Sequence, residues 1–149
     1  RKKRPYIIEI DVTFSRNDGF INKKAMVIIA VSIKTKASFT KSGEMLRMFY
    51  GSADYKQFVD LFHVGIKVNN SALIYLHNDI NNTYSQEYIK DTNVLQTNIT
   101  NSYYNVKIVQ TDFVPISENV LVKNYKVKNE NTMDLNISLL LYSKIYTIL

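Results

Sequence analysis

The stretch Phe-His-Val-Gly-Ile-Lys-Val at residues 62–68 alternates apolar side chains with polar or small ones without a break. Its apolar positions are Phe62, Val64, Ile66 and Val68. Because successive side chains leave an extended backbone on opposite faces, this period of two predicts a β-strand with one face in the core. A helix would instead repeat its apolar residues every three to four positions.

The same alternation recurs towards both ends of the chain, at residues 6–14 and 135–141. Turn-forming runs such as Asn17-Asp18-Gly19 and Asn69-Asn70-Ser71 separate segments of this kind. Strands that alternate with turns every 8–12 residues are typical of sandwiches and barrels. We therefore predict a single all-β domain over residues 1–149, an antiparallel sandwich.

Ten strands are expected from the alternation and the turns. They are 6–14, 25–33, 45–50, 61–68, 72–77, 84–90, 93–99, 103–114, 119–128 and 134–147. The region that fits least well is 15–40, where a dense apolar segment lies between basic flanks.

Composition supports a globular chain and excludes several classes of site. Hydrophobic residues make up 46% and charged residues 21%, which is typical of folded domains. There are no cysteines, so disulfides and thiolate chemistry are ruled out. Only four glycines occur, and no phosphate-binding loop is found, so no cofactor is expected. A cytoplasmic location is favoured, and secretion stays open.

Charge and hydropathy indicate neither a nucleic-acid partner nor a membrane span. The net charge of +6 comes partly from the cluster at residues 1–4, while the other lysines are dispersed and alternate with apolar residues. A nucleic-acid surface needs a concentrated basic stripe, so these lysines are interpreted as the solvated faces of strands. The longest apolar run, 25–31, is far shorter than the ~20 residues of a membrane helix.

The two histidines, His63 and His77, are the obvious candidates for a metal site. A zinc site with hydrolytic function needs three protein ligands, which two histidines and one acid could supply. The spacing carries no ligand signature, so no metal is predicted. His63 is expected on the polar face of its strand, and a side-chain hydrogen bond in a turn is expected for His77.

Several short motifs occur in a fixed order along the chain. They are Gly43-Glu44-Met45-Leu46-Arg47-Met48-Phe49-Tyr50, Asp54-Tyr55, His63-Val64-Gly65-Ile66, Leu76-His77-Asn78-Asp79, residues 88–95, Asp112-Phe113-Val114 and Val120-Leu121-Val122. With this set the chain resembles bacterial family 15 glycoside hydrolases, the glucoamylase and glucodextranase group. Residues 4–8 resemble the start of these enzymes, whereas residues 9–40 deviate from the family pattern.

The resemblance implies a fold and a role. The matching region of the family is an N-terminal sandwich similar to galactose mutarotase, followed by a helical barrel that carries two catalytic glutamates. Residues 1–149 would correspond to the first part of that sandwich, without the barrel. The expected function is a non-catalytic module of an α-glucan hydrolase, with the catalytic helical barrel as its partner.

No catalytic residue is predicted within the chain. Inverting glycoside hydrolysis needs two carboxyl groups about 6.5–9.5 Å apart, one of them with a raised pKa. Acids such as Asp79 and Asp91 could be neighbours across strands, but nothing in the sequence distinguishes them from ordinary surface carboxylates.

Eleven tyrosines leave carbohydrate contact open. Aromatic rings can stack on sugars, although tyrosine is also a good residue for a half-buried strand. The segment between Tyr50 and Tyr55 would be the one to reach a substrate. The predicted substrate-binding residues are Tyr50, Asp54, Tyr55, His77 and Asp79.

Two other functions are compatible with the sequence. One is a free-standing carbohydrate-binding module with an α-glucan as its ligand. The other is a self-associating structural domain, because a truncated sandwich would expose strand edges. In that case residues 135–141 would lack an opposite sheet.

Overall fold

The computed structural model describes residues 6–16, 19–30, 35–50, 59–115 and 120–145, with side chains for 37–48, 59–115 and 120–145. These residues form strands and turns and no helix, which confirms the prediction of an all-β fold. Nothing within them is a helix long and apolar enough to cross a bilayer.

Eleven strands are present in the described residues. In chain order they are β1 (Tyr6–Arg16), β2 (Gly19–Ala30), β3 (Thr35–Phe39), β4 (Met45–Tyr50), β5 (Val59–Val68), β6 (Ile74–Tyr75), β7 (Asn82–Tyr88), β8 (Leu95–Asn101), β9 (Val106–Phe113), β10 (Val120–Asn129) and β11 (Ile137–Ile145).

The strands belong to three sheets. A six-stranded sheet has the order β2-β1-β10-β9-β8-β7, a three-stranded sheet has the order β11-β5-β6, and β3 pairs with β4. Strand β1 runs parallel to β10. The other pairings between described strands are antiparallel. A parallel pair needs a long connection between its two strands, and the many residues between β1 and β10 supply one.

The strand prediction differs from the structure in the region that fitted least well. A strand was expected at 25–33, but β2 begins at Gly19 and ends at Ala30. It is longer because it pairs with β1 along most of its length. Strand β3 was not predicted, since its sequence, Thr-Lys-Ala-Ser-Phe, has little apolar alternation and the strand is defined by its pairing with β4.

The core joins the six-stranded and three-stranded sheets. Every second residue of 62–68 is buried, as the alternation predicted, and Ile66 has no exposed surface. These side chains belong to the same apolar cluster as residues of the six-stranded sheet, namely Ile99, Val106, Ile108, Leu121, Tyr125 and Val127. Apolar faces of two sheets that share one core are the arrangement of a sandwich.

The expectation that residues 135–141 lack an opposite sheet is wrong. Their apolar side chains, Leu135, Ile137, Leu139 and Leu141, are partly buried and pack against the core cluster. The reason is the register of β11 with β5, which places Leu139 beside Ile66 on the same sheet. The intervening side chains Leu140 and Tyr142 are 42% and 57% exposed.

Gly65 allows the short strand β6 to lie close against β5. A Cβ at this position would be 2.7 Å from Leu73 Cδ1 and 2.8 Å from the carbonyl oxygen of Ile74. Such a separation is far inside van der Waals contact, so a larger residue would push β6 away. The close pairing places Tyr75 opposite Gly65.

Candidate functional site

Three side chains from separate parts of the chain converge between the β3–β4 hairpin and the three-stranded sheet. Oε1 of Glu44 is 3.0 Å from Nε2 of His63 and 3.5 Å from Nε2 of His77. Each residue offers one ligating atom, and these atoms all lie within 4.8 Å of one another. The three side chains are 23%, 20% and 14% exposed, so they are partly shielded yet reachable from solvent.

The turn between β3 and β4 positions Glu44. The amide of Gly43 donates to the carbonyl of Thr40 at 3.0 Å, and the amide of Glu44 donates to the hydroxyl of Thr40 at 3.1 Å. Gly43 has a backbone φ of 81°, a value that residues other than glycine rarely adopt. The turn therefore fixes the direction in which the Glu44 side chain leaves the backbone.

Strand β5 and the turn after β6 position the two histidines. His63 lies on the face of β5 opposite Phe62 and Val64, which confirms the prediction that it belongs to the polar face. The turn that carries His77 is held at Leu76, whose amide donates to the carbonyl of Val64 at 2.8 Å.

The imidazoles contact each other as well as the carboxylate. The ring centroids of His63 and His77 are 4.5 Å apart, and Tyr75 lies 5.4 and 5.7 Å from them. Burial lowers the pKa of His77, and the neighbouring His63 adds to this effect, while the charge of Glu44 acts in the opposite direction. The lowered pKa favours the neutral imidazole of His77, which is the form that can bind a cation.

A pocket lies beside this cluster, towards the interior of the sandwich. Its lining residues are Ser42, Gly43, Glu44, Phe62, Val64, Leu76, His77, Gln110, Lys123 and Tyr125. Glu44 and His77 therefore belong both to the convergent cluster and to the lining of this pocket, which also contains the polar side chains of Gln110 and Lys123.

Lys123, which lines the pocket, belongs to a buried ion pair. Lys123 Nζ donates to Oδ1 of Asp112, and both side chains are only 1% exposed. Gln110 Nε2 donates to Oδ2 of Asp112 at 2.6 Å and to the carbonyl of Gly43 at 2.8 Å. The interpretation of all dispersed lysines as solvated is therefore wrong for Lys123, because it alternates in phase with the core residues of β10.

Lys123 also faces aromatic rings, and one of them carries an unpaired hydroxyl. Its Nζ is 4.7 Å from the centroid of Phe39, 5.5 Å from Phe62 and 5.9 Å from Tyr125. The hydroxyl of Tyr125 is buried and has no hydrogen-bond partner among the described residues. Burial, and then the charge of Asp112, hold the pKa of Tyr125 well above its usual value of 10.0.

The residues predicted to bind substrate are found in different settings. His77 belongs to the cluster described above. Asp79 lies in the next turn, where its Oδ1 accepts from the amide and side chain of Asn81 at 2.9 and 3.1 Å and from Asn101 at 3.3 Å. Asp54, Tyr55 and the side chain of Tyr50 lie outside the described residues, so their role stays a prediction.

Sequence reasoning did not identify Glu44 as the partner of the histidines. Glu44 and His63 are 19 positions apart, one in the turn before β4 and the other on β5 of a different sheet. The alternation of β5 was the one usable signal, because it put His63 on the polar face. Nothing in the spacing indicated that the β3–β4 turn would meet that face.

Two further carboxylates, those of Asp112 and Glu130, are paired with lysines. Asp112 contacts Lys123 and Gln110. Glu130 contacts Lys107 and Lys128, each at 2.9 Å, and hydrogen bonds from these lysines lower its pKa. A general acid of a glycosidase needs a raised pKa, which is the opposite effect.

Comparison with known proteins finds a distant similarity. The chain is 30% identical over 105 residues to an uncharacterized glycosyl hydrolase of Methanocaldococcus jannaschii. The matched region covers 69% of this chain and 16% of that relative, so the chain spans only a small part of the relative's length. No protein-family profile matches the chain, and no solved structure matches it. The chain is thus similar to a portion of a glycosyl hydrolase.

Proposed function

We propose that this chain is the N-terminal β-sandwich module of a family 15 α-glucan hydrolase, and that it supports a catalytic helical barrel outside residues 1–149. The observation that carries the proposal is the similarity of 105 residues to a glycosyl hydrolase of which they are only a small part. The all-β fold is what the resemblance to the family's N-terminal sandwich implies.

The settings of the described acids support a non-catalytic role. Asp112 is buried in an ion pair with Lys123, and Oε1 of Glu44 faces two imidazoles. Inverting hydrolysis needs a proton-donating carboxyl and a second carboxylate about 6.5–9.5 Å away, with a water and the sugar between them. An acid already paired with a cation is a poor proton donor, because the cation favours its ionised form.

The outer face of the three-stranded sheet offers a surface for contact with a barrel. It carries Tyr75, Leu140 and Tyr142, which are 40%, 42% and 57% exposed. Register places Tyr75 and Leu140 on either side of Gly65, and Tyr142 beside His63. Aromatic and aliphatic residues of this kind are typical of the central part of protein interfaces.

Reconstitution from two polypeptides tests the proposal. The polypeptide encoded downstream of Leu149 is expressed separately, and glucose release from maltooligosaccharides is measured for each part alone and for the mixture. We expect no release by this chain alone and more release by the mixture than by the downstream part. Release by this chain alone, or a downstream region without a helical barrel, would contradict the proposal.

Surface variants test whether the face that carries Leu140 and Tyr142 is the one that contacts the barrel. Leu140→Ser and Tyr142→Ser remove apolar surface from the proposed contact face without touching the core. Tyr103→Ser serves as the matched control, since Tyr103 is 73% exposed in the turn between β8 and β9. The stimulation by the mixture should weaken with the first two variants and persist with the control.

Carbohydrate binding by the chain itself is a second candidate, favoured by the setting of Tyr75. Its ring is partly exposed and lies against the two histidines next to Glu44, so an aromatic face and hydrogen-bonding groups adjoin. Calorimetric titration with maltoheptaose should then give saturable heat that Tyr75→Ala abolishes and Tyr103→Ala leaves intact. A titration without heat at any accessible concentration would end this candidate.

A further inference from the structure

Two separations within the Glu44, His63 and His77 cluster are close to those between ligands of one metal ion. Zinc bonds of about 2.0–2.2 Å to nitrogen and oxygen put neighbouring tetrahedral ligands about 3.3–3.5 Å apart. The carboxylate oxygen of Glu44 is 3.0 and 3.5 Å from the two imidazole nitrogens. All three ligand atoms lie within 4.8 Å of one another, so movements of the side chains alone would let them surround a cation.

We propose that Glu44, His63 and His77 bind one divalent transition-metal ion of the zinc type, which links the β3–β4 turn to β5 and to the turn after β6. The site is formed by this chain alone. It does not depend on whether the chain belongs to a glycoside hydrolase.

The donor set indicates the class of ion. Two imidazole nitrogens and one carboxylate oxygen suit zinc and its neighbours in the first transition row. Calcium and magnesium prefer six or more oxygen ligands, which these three side chains do not supply. We therefore expect Zn²⁺ and Co²⁺ to bind and Ca²⁺ not to compete.

A hydrogen-bonded cluster without metal explains the geometry less completely. One hydrogen bond accounts for the 3.0 Å contact between His63 and Glu44. The contact of His77 with the same oxygen, at 3.5 Å, is at the long limit for a hydrogen bond. A cation explains why both Nε2 atoms approach a single carboxylate oxygen, because each of the three atoms would be a ligand.

The neighbouring pocket provides for the remaining coordination position. Three protein ligands leave room for a water molecule, as in zinc sites with an open position. Glu44 and His77 line the pocket, and so does Tyr125, whose buried hydroxyl is unpaired among the described residues.

Metal binding would strengthen the contact between separate parts of the fold. The three ligands come from a hairpin turn, a strand and a second turn, and they converge only when the chain is folded. An ion that binds the folded chain and not the unfolded chain raises the melting temperature.

The test uses the full chain after treatment with EDTA and dialysis. Calorimetric titration with ZnCl₂ should show one saturable site per chain, and CoCl₂ should give visible absorption bands typical of low coordination number. CaCl₂ should give neither heat nor protection against thermal unfolding. Absence of a stoichiometric zinc site in the wild-type chain would overturn the proposal.

Ligand variants distinguish this site from adventitious binding elsewhere. Glu44→Gln, His63→Gln and His77→Gln should each weaken zinc binding by more than the roughly 10- to 100-fold that loss of an outer-shell partner costs. Glu87→Gln is the matched control, because Glu87 is an exposed glutamate on β7. Zinc affinity that is unchanged in Glu44→Gln and His77→Gln would show adventitious binding and refute the site.

Nuclear magnetic resonance supplies a readout that needs no variant. The chain contains only two histidines, so two imidazole spin systems report on the site. One equivalent of Zn²⁺ should shift the ring signals of both His63 and His77, and Co²⁺ should broaden both. Ring signals that do not respond to either ion would contradict the proposal even if every variant failed to fold.

Discussion

Lys123 and Asp112 lie directly opposite each other on β10 and β9 and form an ion pair in the interior of the sandwich. Neither side chain has more than 1% of its surface exposed. Removing two charges from water is costly, and the cost is offset only when the partners and their hydrogen bonds are complete. Gln110, which donates to the other oxygen of Asp112, completes this arrangement.

Breaking this pair on one side should destabilise the protein strongly. In Lys123→Met the carboxylate of Asp112 remains buried without a cation, which typically costs about 3–5 kcal/mol. Unfolding in urea, followed by circular dichroism, measures the loss. Lys126→Met is the control on the same strand; it is exposed, so its effect should stay within about 0.5 kcal/mol.

A double variant distinguishes the cost of leaving one buried charge unpaired from the cost of changing the packing around Lys123. Lys123→Met combined with Asp112→Leu removes both charges, so it should recover a large part of the stability lost in Lys123→Met. A double variant no more stable than Lys123→Met would contradict this explanation and indicate that packing around Lys123 dominates.

Two tyrosine hydroxyls in contrasting settings give a matched comparison. The hydroxyl of Tyr84 donates to the carbonyl of Leu76 at 2.9 Å, whereas that of Tyr125 is buried without a described partner. Tyr84→Phe should therefore cost about 0.5–1.5 kcal/mol of unfolding free energy, while Tyr125→Phe should be neutral or stabilising. Chemical denaturation of both variants checks the order, and a reversed order would refute this explanation.

Tyr125 should also contribute to alkaline unfolding. The folded chain holds its pKa well above the usual 10.0, so the folded state keeps the proton that the unfolded state loses. Above that pH the unfolded state binds fewer protons, and the unfolding free energy therefore falls as pH rises. Urea melts from about pH 8 to about pH 11 should show a smaller decline in Tyr125→Phe than in the wild type. An equal decline would contradict the assignment.

Asp79 was predicted to bind substrate, but its contacts indicate a role in holding a turn. Asp79→Ala removes an acceptor for Asn81 and Asn101 and should cost about 0.5–1.5 kcal/mol, because hydrogen bonds of the turn are lost while Asn101 keeps its bond to Asn82. Asp79→Asn keeps one acceptor oxygen and should retain most of the stability. If Asp79→Ala instead left the melting temperature unchanged and altered glucan binding, the turn-holding role would be wrong.

Gly65 should not accept even one additional carbon. A Cβ would meet Leu73 and the backbone of Ile74, and overpacking of this kind typically costs about 1–3 kcal/mol. Thermal unfolding of Gly65→Ala measures this cost. Adding Leu73→Ala should recover only part of the lost stability, because the contact with the Ile74 carbonyl remains. If Gly65→Ala kept full stability, β6 would be free to move away from β5.

The alternation of apolar residues predicted the strands in which it is strict. It did not predict strands such as β3, which exist only because they pair with a neighbouring strand. The alternation of β5 was read correctly and its core residues are buried. Strand β3 has no such pattern, and its partner β4 is what makes it a strand. The parallel pairing of β1 with β10 has no local signature, because it joins segments from opposite parts of the chain.

The candidate site shows the same division. The residue types were visible in the sequence, and the polar face of β5 correctly located His63. The meeting of His63 with Glu44 depends on how the β3–β4 turn lies against β5, which no spacing rule encodes. Lys123 was assigned to solvent together with the other dispersed lysines, although its phase on β10 places it in the core.

The amino-acid order alone determined the fold class and the buried face of individual strands, because side-chain direction along an extended backbone follows from covalent geometry. It also excluded thiol chemistry, since the chain has no cysteine. Only the tertiary structure decided which polar groups meet. Contacts such as those of Glu44 with the histidines and of Lys123 with Asp112 arise from the packing and pairing of strands from separate segments. They depend on distances in space, which the order of residues does not contain.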